Sequence, residues 1–105
     1  MDNKARVINI SLGGASGASG VLRAAINRAT FAGVVVVVSA GNEGNKLDPA
    51  FDPNSPSPFA QALLANGNGL VIIATAVDDN NIITKFSNKA GVAQNAVLSA
   101  LGQGI

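Results

Sequence analysis

The chain has 105 residues, of which 48% are hydrophobic and 12% charged, and its formal net charge is +1. It contains no His and no Cys, so it cannot by itself form a Ser-His-Asp or Cys-His catalytic set or an ordinary zinc site. Seven basic residues against six acidic ones give no electrostatic reason to expect nucleic acid or an anionic membrane as a partner. The longest strongly apolar stretch, residues 31–40, is far shorter than the ~20 residues that span a bilayer.

The first half of the chain predicts a strand, a helix and a second strand. Residues 5–12 are rich in β-forming side chains and end at two glycines, which predicts a strand that enters a tight turn. Residues 16–32 carry one apolar stripe at three- and four-residue spacings, which predicts a helix, and Gly33 supplies its left-handed end. The five valines at 34–38 disfavour a helix, and their lack of alternation predicts a strand buried on both faces. This order predicts a right-handed parallel βαβ unit.

The second half of the chain begins with a long loop over residues 39–69. The elements predicted within and after it are a short helix at 57–65, a buried strand at 70–77, a turn at 78–81, an extended piece at 82–86 and a last strand at 96–100. Together the elements predict an α/β fold with a mainly parallel sheet and flanking helices. Strand patterns lie close to both chain ends, so we expect an internal piece of a larger domain.

Two loops that follow neighbouring predicted strands, residues 11–14 and 39–44, are candidates for a binding site. Ligands of open parallel sheets bind at the carboxyl ends of the strands. Glycines at 13, 14, 41 and 44 permit positive φ and close backbone approach. Between two of them, the Asn42 amide can point into a cleft, where a neutral donor suits a developing oxyanion.

These segments resemble, in order, the central part of the catalytic domain of subtilisin-like serine proteases, peptidase family S8. The resemblance begins with V-I-N-I-S-L-G-G at 7–14 and V-V-V-V-V-S-A-G-N-E-G at 34–44. Residues 70–78 resemble the family's I-A-V-G-A-V-D strand, 86–91 its F-S-N-x-x-G turn and 98–105 its L-x-A-P-G-x-x-I segment. Leu101 and Thr75 depart from the usual Pro and Gly of the family. These matches cover nearly the whole chain.

The resemblance implies that residues 1–105 are the incomplete central segment of a three-layer subtilisin-like domain. It implies that Asn42 is the side-chain donor of the oxyanion hole in a serine endopeptidase. It further implies a strand edge that pairs with an extended peptide or protein substrate (Ser11, Leu12, Gly13), a wall of the pocket for the side chain before the scissile bond (Ser39, Ala40, Gly41) and a carboxylate at the pocket rim (Glu43).

The family's catalytic Asp and His precede the segment that matches this chain, and its nucleophilic Ser follows it. We therefore expect the isolated chain to be inactive and the complete enzyme to be secreted or at the cell surface. We expect no cofactor. A calcium site in the complete family member stays open, but this segment does not support one, because the acidic residues match no calcium loop and lie beside ordinary turn residues (Asp48, Asp52, Asp78, Asp79).

Two other classes of function stay open at this point. The glycine-rich turn at 13–20 also suits a dinucleotide-binding Rossmann-type half-domain, although its glycines run G-x-x-G-x-x-G and Glu43 falls in a loop. A non-catalytic interaction module that uses exposed strand edges is the second alternative. An incomplete sheet leaves such edges unpaired, so we also expect the chain to self-associate.

Overall fold

The computed structural model describes residues 6–44 and 52–102 of the chain. The elements in these ranges are β1 (Val7–Ile10), α1 (Gly20–Phe31), β2 (Val35–Ser39), α2 (Pro58–Ala65), β3 (Val71–Val77), a 3₁₀ helix (Gly91–Ala96) and β4 (Val97–Leu101). The four strands are parallel and lie side by side in chain order. The predicted α/β fold with a parallel sheet and flanking helices is confirmed.

The described helices cover one face of the sheet. Right-handed crossovers between strands that follow one another in chain order place every helix on the same side, and α1 contacts α2. The core lies between this face and the helices, and its innermost side chains are fully buried (Val36, Val38, Leu63, Ile73). We expected both faces of the valine strand to be buried, but Val35 and Val37 are only half-buried because the described helices lie on the other face.

Side-chain caps determine where the two helices begin. The Ser19 hydroxyl accepts a hydrogen bond from the Leu22 N–H at 3.2 Å, so α1 begins at Gly20 rather than at residue 16. It ends before Gly33, whose φ of +90° is the predicted left-handed stop. Ser57 caps α2 in the same way, with Pro58 in the first turn, where its missing N–H costs nothing.

Three details differ from the predicted elements. The first strand ends at Ile10 rather than at residue 12, and residue 5 lies outside the described residues. The extended piece at 82–86 makes one isolated antiparallel bridge, between Ile83 and Val77, and no longer strand pairing within the described residues. The 3₁₀ helix was not predicted, since so short a helix carries little periodic signal.

Candidate functional site

The two candidate loops meet at the carboxyl edge of the sheet. The register pairs Ile10 of β1 with Val38 of β2, so the loops leave the sheet at the same level. The Ser39 hydroxyl at the end of β2 donates a hydrogen bond to the Leu12 carbonyl at 3.1 Å. Leu12 itself is 64% exposed. The segment around residue 12 and the segment around residue 40 therefore form two sides of one surface.

A cavity of about 190 Å³ opens at this edge, between the ends of β2, β3 and β4. Residues 39–42 line one side of it, and residues 74–76 and 100–102 line the other, with Ser87 between them. The predicted pocket wall, 39–41, thus borders a real cavity. The opposite wall was missed by the sequence reasoning, because it depends on which strands become neighbours in the sheet.

Asn42 lies at the mouth of this cavity and is exposed to solvent. Within residues 6–44 and 52–102, its side-chain amide has no hydrogen-bond partner. The preceding residue, Gly41, has a φ of +117°, a conformation that an L side chain rarely adopts. Of the four glycines predicted to permit positive φ, Gly41 alone shows it; Gly44 serves the second predicted purpose, close backbone approach.

The Glu43 side chain binds the backbone of the Asn42 loop. Its carboxylate accepts a hydrogen bond from the Asn42 backbone N–H at 2.7 Å, and the residue is not among those that line the cavity. The carboxylate thus supports the Asn42 turn in this structure. A role for Glu43 at the pocket rim stays a prediction.

A largely buried turn at residues 86–88 is hydrogen-bonded to the Asn42 loop. The Gly44 N–H donates to the Phe86 carbonyl at 2.9 Å, and the Asn88 N–H donates to the Gly41 carbonyl at 3.0 Å. The Asn88 side-chain oxygen accepts from the Glu43 N–H at 2.8 Å. The F-S-N motif marked this turn as part of the resemblance, but the sequence alone gave no function for its asparagine.

Ser57 connects α2 to the same loop, and it was also missed. Its N–H donates to the Ala40 carbonyl at 2.8 Å, while its hydroxyl accepts from the Ala60 N–H at 3.2 Å. The side chain is 1% exposed. The Ser57-Pro58 pair before an apolar run is a sequence signal for the cap. The contact with Ala40 could not be predicted, because the two residues lie far apart in the sequence.

The glycine-rich turn at 13–20 does not have the form of a dinucleotide site. Such a site needs a helix that starts directly after the first strand, whereas residues 11–19 separate β1 from α1. The Gly14 carbonyl accepts a hydrogen bond from the Phe59 N–H at 3.1 Å, which connects the turn to α2. The dinucleotide-binding alternative is not favoured.

Two of the four aspartates weighed as calcium ligands, Asp52 and Asp78, serve as turn caps. One Asp52 oxygen accepts from the Asn54 N–H at 3.0 Å, and one Asp78 oxygen accepts from the N–H groups of Asn80 and Ile82. Asp48 lies outside the described residues. In the described ranges, no group of three or more His, Cys, Asp or Glu side chains lies close enough to hold a metal ion. No helix there is long and apolar enough to cross a membrane.

The described residues thus form a parallel α/β sheet with an exposed asparagine, Asn42, beside a cavity at its carboxyl edge, and the comparison with known families agrees with the subtilisin-like class that the motifs predicted. The model of the subtilase family, peptidase S8, matches residues 1–103, and the chain belongs to this family of serine proteases.

Two curated relatives and one solved structure illustrate the relationship. Thermitase of Thermoactinomyces vulgaris is 37% identical over 95 residues, which are 90% of this chain and 29% of thermitase. The extracellular protease of Xanthomonas campestris pv. campestris is 40% identical over 60 residues, 57% of this chain and 10% of that protein. A mutant of the protease domain of PatA superposes with a TM-score of 0.71 at 26% identity, over 96% of this chain and 33% of that domain. The chain thus spans a third or less of the length of each.

Proposed function

We propose that this chain is the part of a subtilisin-like serine endopeptidase that supplies the side-chain oxyanion donor and part of the substrate cleft. The observation that carries the proposal is the exposed Asn42, which lines the cavity together with Ser39, whose hydroxyl donates to the Leu12 carbonyl. The family membership supplies the reaction class, and the position of this amide supplies a role for the segment within it.

The chemistry that this arrangement suits is stabilisation of a tetrahedral intermediate. In the complete enzyme, a Ser attacks the peptide carbonyl with a His as base, and negative charge develops on the carbonyl oxygen. The Asn42 side-chain N–H donates to that oxygen, and a fixed neutral donor costs no reorganisation at the moment of reaction. The chain holds no His, so the His of the triad belongs to a part of the protein outside residues 1–105. We propose the same for the catalytic Asp and Ser.

The substrate is an extended segment of a peptide or protein. Register in the sheet stops at Ile10 and Val38, so residues 11–13 extend beyond the paired part of β1. Their backbone is placed to add a strand of substrate by β-augmentation. The side chain before the scissile bond then enters the cavity between residues 39–41 and 74–76. Its volume, about 190 Å³, is enough for one side chain of medium size.

We further propose that the complete protease is secreted. The support for this is the relative from Xanthomonas campestris, which is named an extracellular protease. No cofactor enters the proposed reaction, and the question of calcium in the complete enzyme stays open.

The proposal is tested by kinetics of the full-length protein that contains this segment. Replacing Asn42 by alanine is expected to lower kcat by about 10²–10³ with little change in KM, a magnitude that was measured on a subtilisin and is taken over unchanged. The matched control is Asn95→Ala, which removes an exposed asparagine on the 3₁₀ helix, away from the cavity at Asn42. Equal kcat values for wild type and Asn42→Ala would contradict the proposal.

A further inference from the structure

We propose that Asn88 is a positioning residue for the oxyanion donor: it holds both peptide groups that flank Asn42 and so fixes where the Asn42 amide points. This inference rests on the proposed function, because it concerns the same amide. Asn88 does not reach the cavity, and its effect on the reaction passes through Asn42.

The contacts of Asn88 bracket Asn42 on both sides. On the N-terminal side, the Asn88 backbone N–H donates to the carbonyl of Gly41 at 3.0 Å. On the C-terminal side, the Asn88 side-chain oxygen accepts from the N–H of Glu43 at 2.8 Å. One residue therefore binds both neighbours of Asn42 and makes no hydrogen bond to its side chain.

Asn88 is itself rigidly held. It is 0% exposed, and its side-chain NH₂ donates to the Ser55 carbonyl at 2.9 Å. Its carbonyl accepts from the Ser87 hydroxyl at 2.9 Å, and that hydroxyl accepts from the Ala76 N–H on β3 at 3.1 Å. A chain of buried hydrogen bonds thus connects the Asn42 loop to the sheet.

The packing around this contact leaves little room for the loop to shift. A Cβ on Gly41 would lie 3.0 Å from the Asn88 side-chain oxygen, and one on Gly44 would lie 2.7 Å from the Lys85 carbonyl oxygen. The loop therefore packs closely against residues 85–88 on both sides of Asn42. Such an arrangement indicates a fixed geometry at the one residue between the two contacts.

Fixed geometry matters for this reaction, because a donor must lie within about 2.7–3.1 Å of the developing oxyanion. A displacement of about 1 Å can lower the rate roughly 10²-fold. Removal of the Asn88 side chain leaves the Glu43 N–H without its partner and frees the loop on one side. We expect this to misplace the Asn42 amide while leaving the cavity walls in place.

The test compares four forms of the full-length protein that contains this segment: wild type, Asn42→Ala, Asn88→Ala and the double variant. Asn88→Ala is expected to lower kcat by about 10²-fold with KM changed by less than about threefold. The double variant is expected to have the kcat of Asn42→Ala within about threefold, because the two residues act through one donor. Active sites are counted with a covalent serine-protease inhibitor, so that kcat refers to folded enzyme.

Thr30→Val is the matched control for a lost buried hydrogen bond. Thr30 is 2% exposed and donates from its hydroxyl to the Ile26 carbonyl at 2.7 Å within α1. The Thr30→Val variant is expected to have a lower thermal midpoint than wild type and an unchanged kcat. A fall in kcat for Thr30→Val as large as that for Asn88→Ala would show that general destabilisation is the cause and would overturn the positioning role.

Asn88→Asp decides the question if the alanine variant does not fold. Aspartate keeps an oxygen for the Glu43 N–H, and in its protonated form its O–H takes the place of the NH₂ that donates to the Ser55 carbonyl. We expect kcat within about fivefold of wild type and a lower thermal midpoint. An Asn88→Asp enzyme with kcat reduced about 10²-fold, or losses that multiply in the double variant, would contradict the positioning role. An unchanged kcat in Asn42→Ala would contradict the proposed function as well.

Discussion

Replacing Gly41 by alanine perturbs the site through both the backbone and the new methyl group. Gly41 has a φ of +117°, and an L residue held in so sparsely populated a region costs about 1–3 kcal/mol. The added Cβ would also lie 3.0 Å from the side-chain oxygen of Asn88, 3.2 Å from its Cγ and 3.4 Å from the Cβ of Ser57. Both neighbours are buried and hydrogen-bonded, so the loop must move instead. We expect kcat of the full-length protease to fall by about 10- to 100-fold.

Gly33→Ala is the matched control for this prediction. Gly33 has a φ of +90°, and a Cβ there would have no heavy atom within 4 Å, so the variant shows the backbone cost alone. The assay is steady-state hydrolysis of a peptide substrate, together with thermal unfolding of the inhibited enzyme. We expect both variants to lose stability and Gly41→Ala alone to lose kcat. A Gly41→Ala enzyme with wild-type kcat would refute the reasoning that this loop fixes the donor.

Three further predictions concern the fold. Leu63→Ala removes a fully buried core side chain and is expected to lower the free energy of unfolding, measured by chemical denaturation, by about 2–5 kcal/mol. Its control, Val21→Ala at an 82% exposed position, should change that free energy by less than about 0.5 kcal/mol. Equal effects of the two variants would contradict the assigned core. Ser57→Ala removes the cap of α2 and is expected to cost about 1 kcal/mol, and an unchanged unfolding midpoint would argue against the cap. The isolated 105-residue chain is expected to self-associate through its unpaired strand edges and to hydrolyse no peptide; light scattering that shows a monomer, or activity above the buffer blank, would count against this.

The sequence predicted the sheet because its signals are local. The valine run and the apolar run at 70–77 resist helix formation, and the stripe in 16–32 has helical spacing, so the type of each element followed directly. The predicted start of α1 at residue 16 was wrong, because the Ser19 hydroxyl caps the helix and sets its first residue at Gly20. Burial of both faces of β2 was expected from composition, but burial depends on what covers the sheet.

The site was predictable in part. Glycines around Asn42 indicated an exposed amide, and the order of the strands placed the two loops at one edge of the sheet, where the Ser39 hydroxyl donates to the Leu12 carbonyl. The support beneath the loop could not be predicted, because Asn88 contacts residues far away in the sequence. The second wall of the cavity, residues 74–76 and 100–102, could not be predicted for the same reason. It forms only when β3 and β4 pair beside β2.

The central claim is that the Asn42 amide binds the oxyanion of the reaction. The most direct measurement is a crystal structure of the full-length protease with a peptide aldehyde or boronic acid bound covalently to its serine. We predict that the oxygen on the tetrahedral atom of the inhibitor lies about 2.7–3.1 Å from the Asn42 side-chain nitrogen. The inhibitor side chain next to that atom is expected to occupy the cavity between residues 39–41 and 74–76. A tetrahedral oxygen held by other groups, with the Asn42 nitrogen more than about 3.5 Å away, would contradict the claim.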